Sequence, residues 1–241
     1  MSGSGSFLAG EFAIWYVVFL FSLTAHEGAH ALAAHLGGDD TAYRSGQVTL
    51  NPIPHLKREP FGTLLVPLLS FLAAGWMMGW ASTPFDPRWG RRHPGRQALM
   101  SLAGPAANFL IALVAFTALR LLLAGGLFEA PEKVNFSHLV SPAAGTPSSS
   151  LLVPLALLLS VALNLNVLLG LFNLLPLPPL DGAGVAEGLF PDRFGALLGL
   201  LRSNPMFSIL SLLVAWKFFG LIASPAVRVV LRLVHPAVSY V

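Results

Sequence analysis

Residues 25–30 read Ala-His-Glu-Gly-Ala-His and lie inside a long apolar run, and the rest of the chain is organised around them. On a helix, His26 and His30 point to one side, one turn apart, which is the spacing that a zinc ion needs. Glu27 is the residue type that takes a proton from a zinc-bound water in metallohydrolases. The surrounding residues of 12–34 are almost wholly apolar. Because ionisable groups inside a membrane-spanning helix are costly, this stretch predicts a functional site within the membrane.

The composition predicts an integral membrane protein. The chain has 241 residues, of which 55% are hydrophobic and only 10% are charged, and its mean hydropathy is +0.71. Soluble domains of this size do not have such a composition, and several apolar runs approach or exceed the roughly 20 residues that cross a bilayer. The chain has no cysteine, so nitrogen and oxygen atoms would hold a metal. The formal net charge of +3 is small and lies mostly in loops, so no nucleic-acid partner is expected.

Four apolar stretches are long enough to predict membrane-spanning helices, so the expected fold class is an all-α polytopic membrane protein. The predicted helices cover residues 7–36, 97–124, 151–177 and 206–222. After the first helix, the alternation of polar and apolar side chains predicts a short β-strand in residues 43–50. We expect residues 1–241 to form a single membrane domain, with a core at 7–190 and C-terminal helices at 191–241.

Residues 61–80 are apolar but are interrupted by Pro67, Gly75 and Gly79, and a parity argument predicts how they lie. The two histidines lie near the end of the first helix, and Asp181 lies just past the end of the third. If all three bind one ion, these helices run in the same direction, so an odd number of crossings must separate them. The second helix supplies one crossing, and residues 61–80 are too few to cross twice. We therefore predict that they form a re-entrant or interfacial hairpin.

Loop charges predict the orientation in the membrane. With this topology, seven basic residues lie on one side: Arg44, Lys57, Arg58, Arg88, Arg91, Arg92 and Arg96. The N-terminus and the loop at residues 125–150, whose charges are mostly acidic, lie on the other side. The positive-inside rule makes the basic side cytoplasmic. We therefore predict a multi-pass protein of the plasma or inner membrane, with the metal site towards the cytoplasm.

Three motifs together resemble the site-2 protease family (M50) of intramembrane metalloproteases. They are His-Glu-Gly-Ala-His at residues 26–30, Gly-Pro-Ala-Ala-Asn at 104–108, and Asn-Leu-Leu-Pro-Leu-Pro-Pro-Leu-Asp-Gly at 173–182. Residues 46–52 (Gly-Gln-Val-Thr-Leu-Asn-Pro) and 61–63 (Phe-Gly-Thr) are similar to a compact prokaryotic subgroup. No stretch resembles a PDZ or CBS domain, so regulation by such modules is not expected.

The resemblance implies a zinc-dependent endopeptidase that cleaves peptide bonds within or near the transmembrane segments of other membrane proteins. It implies that one zinc ion per chain is bound by His26, His30 and Asp181, and that Glu27 is the general base. It also implies that Asn173 helps to hold the substrate. The partners are then a membrane-protein substrate and the lipid bilayer. The resemblance also implies that an extended substrate pairs with the strand predicted after the first helix, by strand addition.

The sequence departs from the family pattern at two places that flank the site. Residues 55–60 read His-Leu-Lys-Arg-Glu-Pro where relatives tend to have His-Ile-Asp-Pro, and residues 183–185 read Ala-Gly-Val where relatives often carry Gly-Arg. These changes bear on substrate preference.

Two alternatives stay open from the sequence: a catalytically inactive relative that binds partners, and a membrane transporter whose buried ionisable groups carry ions.

Other polar residues receive structural interpretations. Asn164 and Asn166 are expected to hydrogen-bond between helices, and Gly104 and Asn108 are expected to serve close packing of their helix. If Asp181 is not the third metal ligand, Glu187 is the next candidate carboxylate. The remaining histidines have no partner spacing and are expected at the membrane interface or in loops: His35, His55, His93, His138 and His235.

Overall fold

A computed structural model describes the backbone of residues 2–237 and the side chains of residues 9–237. Its secondary structure is almost entirely helical. The elements are α1 (Ser2–Leu36), α2 (Thr41–Arg44), α3 (Pro52–Arg58), a π-helical turn (Phe61–Leu65) that leads into α4 (Val66–Ala74), α5 (Pro87–Arg92), α6 (Pro94–Ala124), β1 (Phe128–Glu129), β2 (Ser141–Pro142), α7 (Leu152–Asn173), α8 (Asp181–Leu189), α9 (Pro191–Ser203) and α10 (Pro205–Val234). The two short strands pair antiparallel with each other.

Within residues 2–237, four helices are long and apolar enough to span a membrane, which confirms the predicted all-α polytopic class. The spanning stretches are Ala9–Leu36, Pro94–Ala124, Leu152–Asn173 and Pro205–Val234. The last of them continues through Pro225, although the sequence predicted its end at residue 222. Proline is tolerated in membrane helices because neighbouring groups satisfy the backbone atoms that it frees.

Helices α1, α6 and α7 pack against one another around the largest core. Its buried side chains include Trp15, Phe19, Leu119, Val161 and Leu163. Because lipid tails are as apolar as leucine, close packing and interhelical hydrogen bonds hold such helices together. Asn166 of α7 donates to the Oγ of Ser22 in α1 at 2.8 Å, and Asn108 of α6 donates to the Oδ1 of Asn166 at 2.8 Å. The predicted interhelical role of Asn166 is confirmed, whereas the same prediction for Asn164 is wrong, because its amide donates to the carbonyl oxygen of Phe136 in the loop between α6 and α7.

The hairpin predicted for residues 61–80 is present. Helix α4 ends at Gly75, whose φ of 72° turns the chain back, and the returning segment runs without helical structure. The backbone N–H of Trp80 donates to the carbonyl oxygen of Gly62 at 3.1 Å, so the segment ends beside the residues where it began. Midway, the N–H of Met78 donates to the Oγ of Ser70 at 2.9 Å. The chain therefore enters and leaves this region at one level.

A buried carboxylate at the end of α1 joins the loops on either side of the hairpin. Asp39 accepts hydrogen bonds from the backbone N–H and hydroxyl of Thr41 and from the N–H of Asp86, the last at 2.7 Å. Burial alone would raise the pKa of Asp39, but these hydrogen bonds hold that pKa below its usual value. Nearby, Trp89 and Arg96 both donate to the carbonyl oxygen of Gly37. The loops before and after the hairpin therefore lie at the same end of the bundle.

The strand predicted in residues 43–50 is wrong. Residue 43 lies in the short helix α2, Gly46 turns with a φ of 69°, and residues 48–50 form bends. The N–H of Thr49 donates to the carbonyl of Gln47 at 2.9 Å, which curls the backbone instead of extending it. A strand needs a neighbour for its ladder of hydrogen bonds, and no other segment of residues 2–237 pairs with this one.

Helix α10 returns the chain to the side opposite the hairpin loops. Arg120, near the end of α6, donates to the carbonyl oxygen of Val234 at 2.8 Å. The Nε2 of His235 lies 2.7 Å from the carbonyl oxygen of Leu139, which belongs to the loop between α6 and α7. The end of α10 therefore lies beside that loop, so α10 makes a single crossing after α8 and α9.

Candidate metal centre

The structure brings the three predicted metal ligands together in a tight cluster. The Nε2 atoms of His26 and His30 are 3.0 Å apart. The carboxylate oxygens of Asp181 lie 3.0 Å from the Nε2 of His26 and 3.2 Å from that of His30. The two histidines are buried and the aspartate is partly buried. Atoms from the last third of α1 and from the start of α8, more than 150 residues later, thus converge on one point.

Local structure explains why these side chains meet. The histidines lie on adjacent turns of one face of α1, and Asp181 is the first residue of α8, which follows the proline-containing turn after α7. Helix α6 closes the cluster from the side through Gly104. A Cβ atom at that position would lie 2.6 Å from the Nε2 of His26, so no larger residue fits there without displacing the imidazole. The close packing predicted for Gly104 is confirmed, and the surface that it packs against is the cluster itself.

The hydrogen bonds of the imidazoles direct their free lone pairs into the cluster. The Nδ1 of His26 lies 2.6 Å from the Oδ1 of Asn108, and the Nδ1 of His30 lies 2.7 Å from the carbonyl oxygen of Met100. Both partners are acceptors, so each Nδ1 carries the proton and each Nε2 presents a lone pair.

Two imidazole lone pairs and a carboxylate therefore face one another, and the Oδ2 of Asp181 is buried without a hydrogen-bond donor. Such a set of acceptors repels itself unless a cation lies between them. Two nitrogens and one oxygen, with a fourth position left for water, are the ligand types of a catalytic zinc site. The residues present fit this ion.

Glu27 lies beside the cluster on the same turn of α1 and is buried. Its Oε2 accepts a hydrogen bond from the hydroxyl of Thr83 at 2.7 Å. Glu27 is not a member of the group whose ligand atoms converge. Its carboxylate is therefore placed next to the cluster without forming part of it.

Comparison with known proteins now identifies the family. The model of peptidase family M50 matches residues 14–199, which is most of the chain. The chain belongs to peptidase family M50. This confirms the resemblance seen in the motifs and makes the chain a metalloprotease, a hydrolase. The match covers the region from the middle of α1 into α9, so the extent of a single domain over residues 1–241 stays a prediction.

Individual relatives agree with this assignment. YwhC of Bacillus subtilis, whose name assigns it to the zinc metalloproteases, is 38% identical over 176 residues, which are 73% of this chain and 68% of YwhC. Rip2 of Mycobacterium tuberculosis, named in the same way, is 30% identical over 89% of this chain and 73% of its own length. Rip2 of Mycolicibacterium smegmatis is 29% identical over 74% of this chain and 58% of its own length. A comparison with solved structures gave no significant match.

Asn173, which the M50 motif offers as a substrate contact, lies at the end of α7. Its amide donates to the carbonyl oxygen of Leu169 at 3.0 Å, one turn earlier in the same helix. Within the described residues its Oδ1 has no hydrogen-bond partner, and no hydrogen bond joins Asn173 to the metal cluster. The side chain is therefore oriented by its own helix and keeps one acceptor free.

His55 was expected in a loop or at the membrane interface, but it is buried in α3. Its Nε2 lies 3.4 Å from the carbonyl oxygen of Thr49, whose backbone packs against Gly28 of α1. Burial lowers the pKa of His55, and the Thr49 carbonyl and the negative charge of Glu27 oppose that shift. The imidazole is therefore a core group that supports the segment over α1.

Glu187, the alternative third ligand, is engaged elsewhere. Its carboxylate forms an ion pair with Arg202 of α9 and lies 3.5 Å from the side-chain nitrogen of Gln97 in α6. It does not belong to the group of ligand atoms that converge in the described residues. These contacts join α8 to its neighbours, which is a structural role.

Sequence reasoning missed the role of Asn108. It was expected to serve helix packing, but its Oδ1 contacts His26 while its amide donates to Asn166. The only signal was its presence in the 104–108 motif of the M50 resemblance. Such second contacts fix the tautomer and orientation of a metal-binding imidazole, so Asn108 supports the proposed site from outside the ligand set.

We expect Asn108→Ala to weaken zinc binding by about 10- to 100-fold, because the Nδ1 of His26 loses the acceptor that orients it. Competition with a chromogenic zinc chelator measures the change. Asn164→Ala is the matched control, since Asn164 is also a buried asparagine but donates to the carbonyl oxygen of Phe136 in a loop. Equal zinc affinity in the two variants would contradict a role of Asn108 at the metal site.

Proposed function

We propose that this M50 protein is a zinc-dependent intramembrane endopeptidase that cleaves peptide bonds within or near the transmembrane segments of other proteins. The observation that carries the proposal is the convergence of His26, His30 and Asp181 beside the carboxylate of Glu27, on a helix of spanning length. The donor set fits one zinc ion per chain. The names of the relatives YwhC and Rip2 support the same metal.

In this proposal His26, His30 and Asp181 hold the metal and Glu27 is the general base. When bound, zinc supplies Lewis acidity, which lowers the pKa of a bound water and polarises the scissile carbonyl. Glu27 takes one proton from the water, and the water oxygen bonds to the carbonyl carbon of the scissile peptide bond. The C–N bond then breaks, and Glu27 returns that proton to the leaving amine nitrogen. The burial of Glu27 excludes bulk water from the base.

The segment at residues 46–50 is the proposed docking edge for the substrate. It lies directly against α1, the helix that carries His26, Glu27 and His30. A Cβ atom at Gly28 would lie only 2.9 Å from the carbonyl oxygen of Thr49. Among the described residues, the backbone N–H groups of Val48 and Leu50 have no hydrogen-bond acceptor. An unwound substrate has backbone groups that need partners in the membrane. The two N–H groups of this curled segment would supply hydrogen-bond donors to the carbonyl oxygens of such a substrate.

An open surface groove beside this segment supports the same placement. It has a volume of about 430 Å³ and is lined by Ser45, Gln47, Ile53, Pro54, Lys57 and Arg58. The Oε1 of Gln47 is buried without a hydrogen-bond donor in the described residues. Separately, the free Oδ1 of Asn173 at the end of α7 would accept a hydrogen bond from an N–H group of the substrate. Lys57 and Arg58 lie in residues 55–60, where the sequence departs from the related motif, so they bear on substrate preference.

The test of the proposed function uses the purified protein in lipid vesicles with a panel of tagged single-span membrane segments. We expect about one zinc per chain and cleavage of at least one segment that stops with a chelator and resumes when zinc is restored. Bound zinc without cleavage of any segment, together with ion flux across the vesicle membrane, would instead support a transporter. Bound zinc with neither activity would support an inactive relative.

We also propose that the site faces the cytoplasm in the plasma or inner membrane. Single cysteines are easily interpreted because the chain has none of its own. Ser45, before the hairpin, and Arg92, at the end of α5 after it, are exposed, and Ser148 is exposed between α6 and α7. An impermeant thiol reagent added to whole cells is expected to label only Ser148→Cys. External labelling of Arg92→Cys with Ser45→Cys protected would mean that the hairpin crosses the membrane.

A further inference from the structure

A threonine on the returning arm of the hairpin contacts the proposed general base. The Oγ1 of Thr83 lies 2.7 Å from the Oε2 of Glu27 and 2.9 Å from the carbonyl oxygen of the same residue. Thr83 is 56 residues away in the chain and is partly buried. Within the described residues, this hydroxyl is the only hydrogen-bond donor to the carboxylate of Glu27. A single donor therefore determines how that carboxylate is held.

We propose that Thr83 is a positioning residue for Glu27, an inference that rests on the proposed function of Glu27 as a base. A glutamate side chain has several rotatable bonds, and a base acts only within hydrogen-bond reach of the proton that it takes. Thr83 holds Oε2, which leaves Oε1 without a partner in the described structure. The free oxygen is then the one that faces the attacking water.

The hydroxyl of Thr83 has two acceptors on Glu27, the carboxylate oxygen Oε2 and the backbone carbonyl oxygen, and Glu27 as a base changes its charge in each turnover. The hydroxyl has one proton, and the carboxylate oxygen is the nearer acceptor at 2.7 Å. When Glu27 holds the proton taken from water, the hydroxyl can turn to the carbonyl oxygen of Glu27 at 2.9 Å. Thr83 therefore has an acceptor on Glu27 in either state, and the bond to Oε2 is the one that positions the carboxylate.

The hairpin holds Thr83 in place. Just before it, the N–H of Trp80 donates to the carbonyl oxygen of Gly62 at 3.1 Å, and the hydroxyl of Ser82 donates to Glu59 at 2.7 Å. A Cβ at Gly62 would overlap the backbone of Trp80, so the two arms are in direct contact. The position of the base thus depends on the hairpin being folded against α1, which gives this region a catalytic purpose.

The test compares Thr83→Val, which keeps the shape but removes the hydroxyl, with Thr83→Ser, which keeps the hydroxyl. For a cleavable membrane segment in vesicles, we expect Thr83→Val to lower kcat by about 10- to 100-fold, since misplacing a catalytic group by about 1 Å has effects of this size. KM and zinc content should stay close to wild type, because Thr83 is not among the converging metal ligands and, among the described residues, its hydroxyl hydrogen-bonds only to Glu27. Thr83→Ser should restore kcat to within about threefold of the wild type.

Thr117→Val is the matched control, because its hydroxyl donates only to the carbonyl oxygen of Leu113 on the exposed face of α6. Thr83→Ala removes the hydroxyl without the added methyl group and serves if the valine variant does not fold. Wild-type kcat in these hydroxyl-free variants, or a serine variant as slow as they are, would overturn the inference. If Glu27→Gln is also fully active, the proposed function fails; if Glu27→Gln is inactive, only the role of Thr83 fails.

Discussion

Glu27→Gln is expected to lower the rate of peptide-bond cleavage by about 10²- to 10⁴-fold while zinc stays bound, because general-base catalysis contributes a factor of this size. The amide keeps the shape of the carboxylate but cannot take a proton from water. Glu27 is beside the cluster of Asp181 and the two histidines without being part of it, so its replacement leaves the metal ligands intact. The loss should therefore lie in turnover, measured as kcat on a reconstituted substrate segment, and not in zinc content.

Glu11→Gln is the matched control for this experiment. It makes the same chemical change in the same helix, about four turns before the site, and we expect it to cleave at the wild-type rate. Near wild-type cleavage by Glu27→Gln would remove the proposed mechanism. Loss of zinc from Glu27→Gln would show that this residue acts as a ligand, which would also contradict the assigned role.

Asp181→Asn is expected to lose zinc and, with it, all measurable cleavage. Two imidazoles alone hold the ion poorly, and a neutral amide neither balances its charge nor binds it as a carboxylate does. His26→Ala and His30→Ala should lose zinc in the same way. Zinc content after dialysis measures the effect directly. Because a bound metal stabilises the folded state, added zinc should raise the Tm of the wild type but not that of these variants.

Glu187→Gln provides the control for the aspartate variant. Its carboxylate pairs with Arg202 and lies near Gln97, so its loss affects contacts of α8 with α9 and α6 and not the metal. We expect this variant to keep its zinc. Full zinc content and activity in Asp181→Asn, with zinc lost from Glu187→Gln, would move the third ligand from the start of α8 to its second half.

The features that sequence could predict are those set by local patterns. Helical spacing placed His26 and His30 on one face of α1, and apolar length located the four spanning helices. The hairpin followed from the number of membrane crossings. The histidines of α1 and Asp181 after α7 could share an ion only if residues 61–80 did not cross the membrane. A folded return of the chain at Gly75 satisfies that condition.

The features that sequence missed depend on contacts between distant segments. Residues 43–50 alternate like a strand, but without a neighbour the backbone curls. Thr83 lies in an ordinary Ser-Thr-Pro connection, and its contact with Glu27 exists only because the hairpin brings the chain back over α1. His55 has no metal-binding partner at helical spacing, so nothing in the sequence marked it as buried. Its burial depends on how α3 packs beneath Thr49.

The asparagine contacts at the centre of the bundle form a closed polar circuit. Starting from His26, it passes through Asn108 of α6 and Asn166 of α7 to Ser22, one turn earlier in α1. If one of the three helices slid by a turn of about 5.4 Å, several of these groups would lose their partners in apolar surroundings. The circuit therefore fixes the axial register of the helices, and the same alignment aims the imidazole of His26. Assembly of the three helices therefore also orients the imidazole that we propose as a metal ligand.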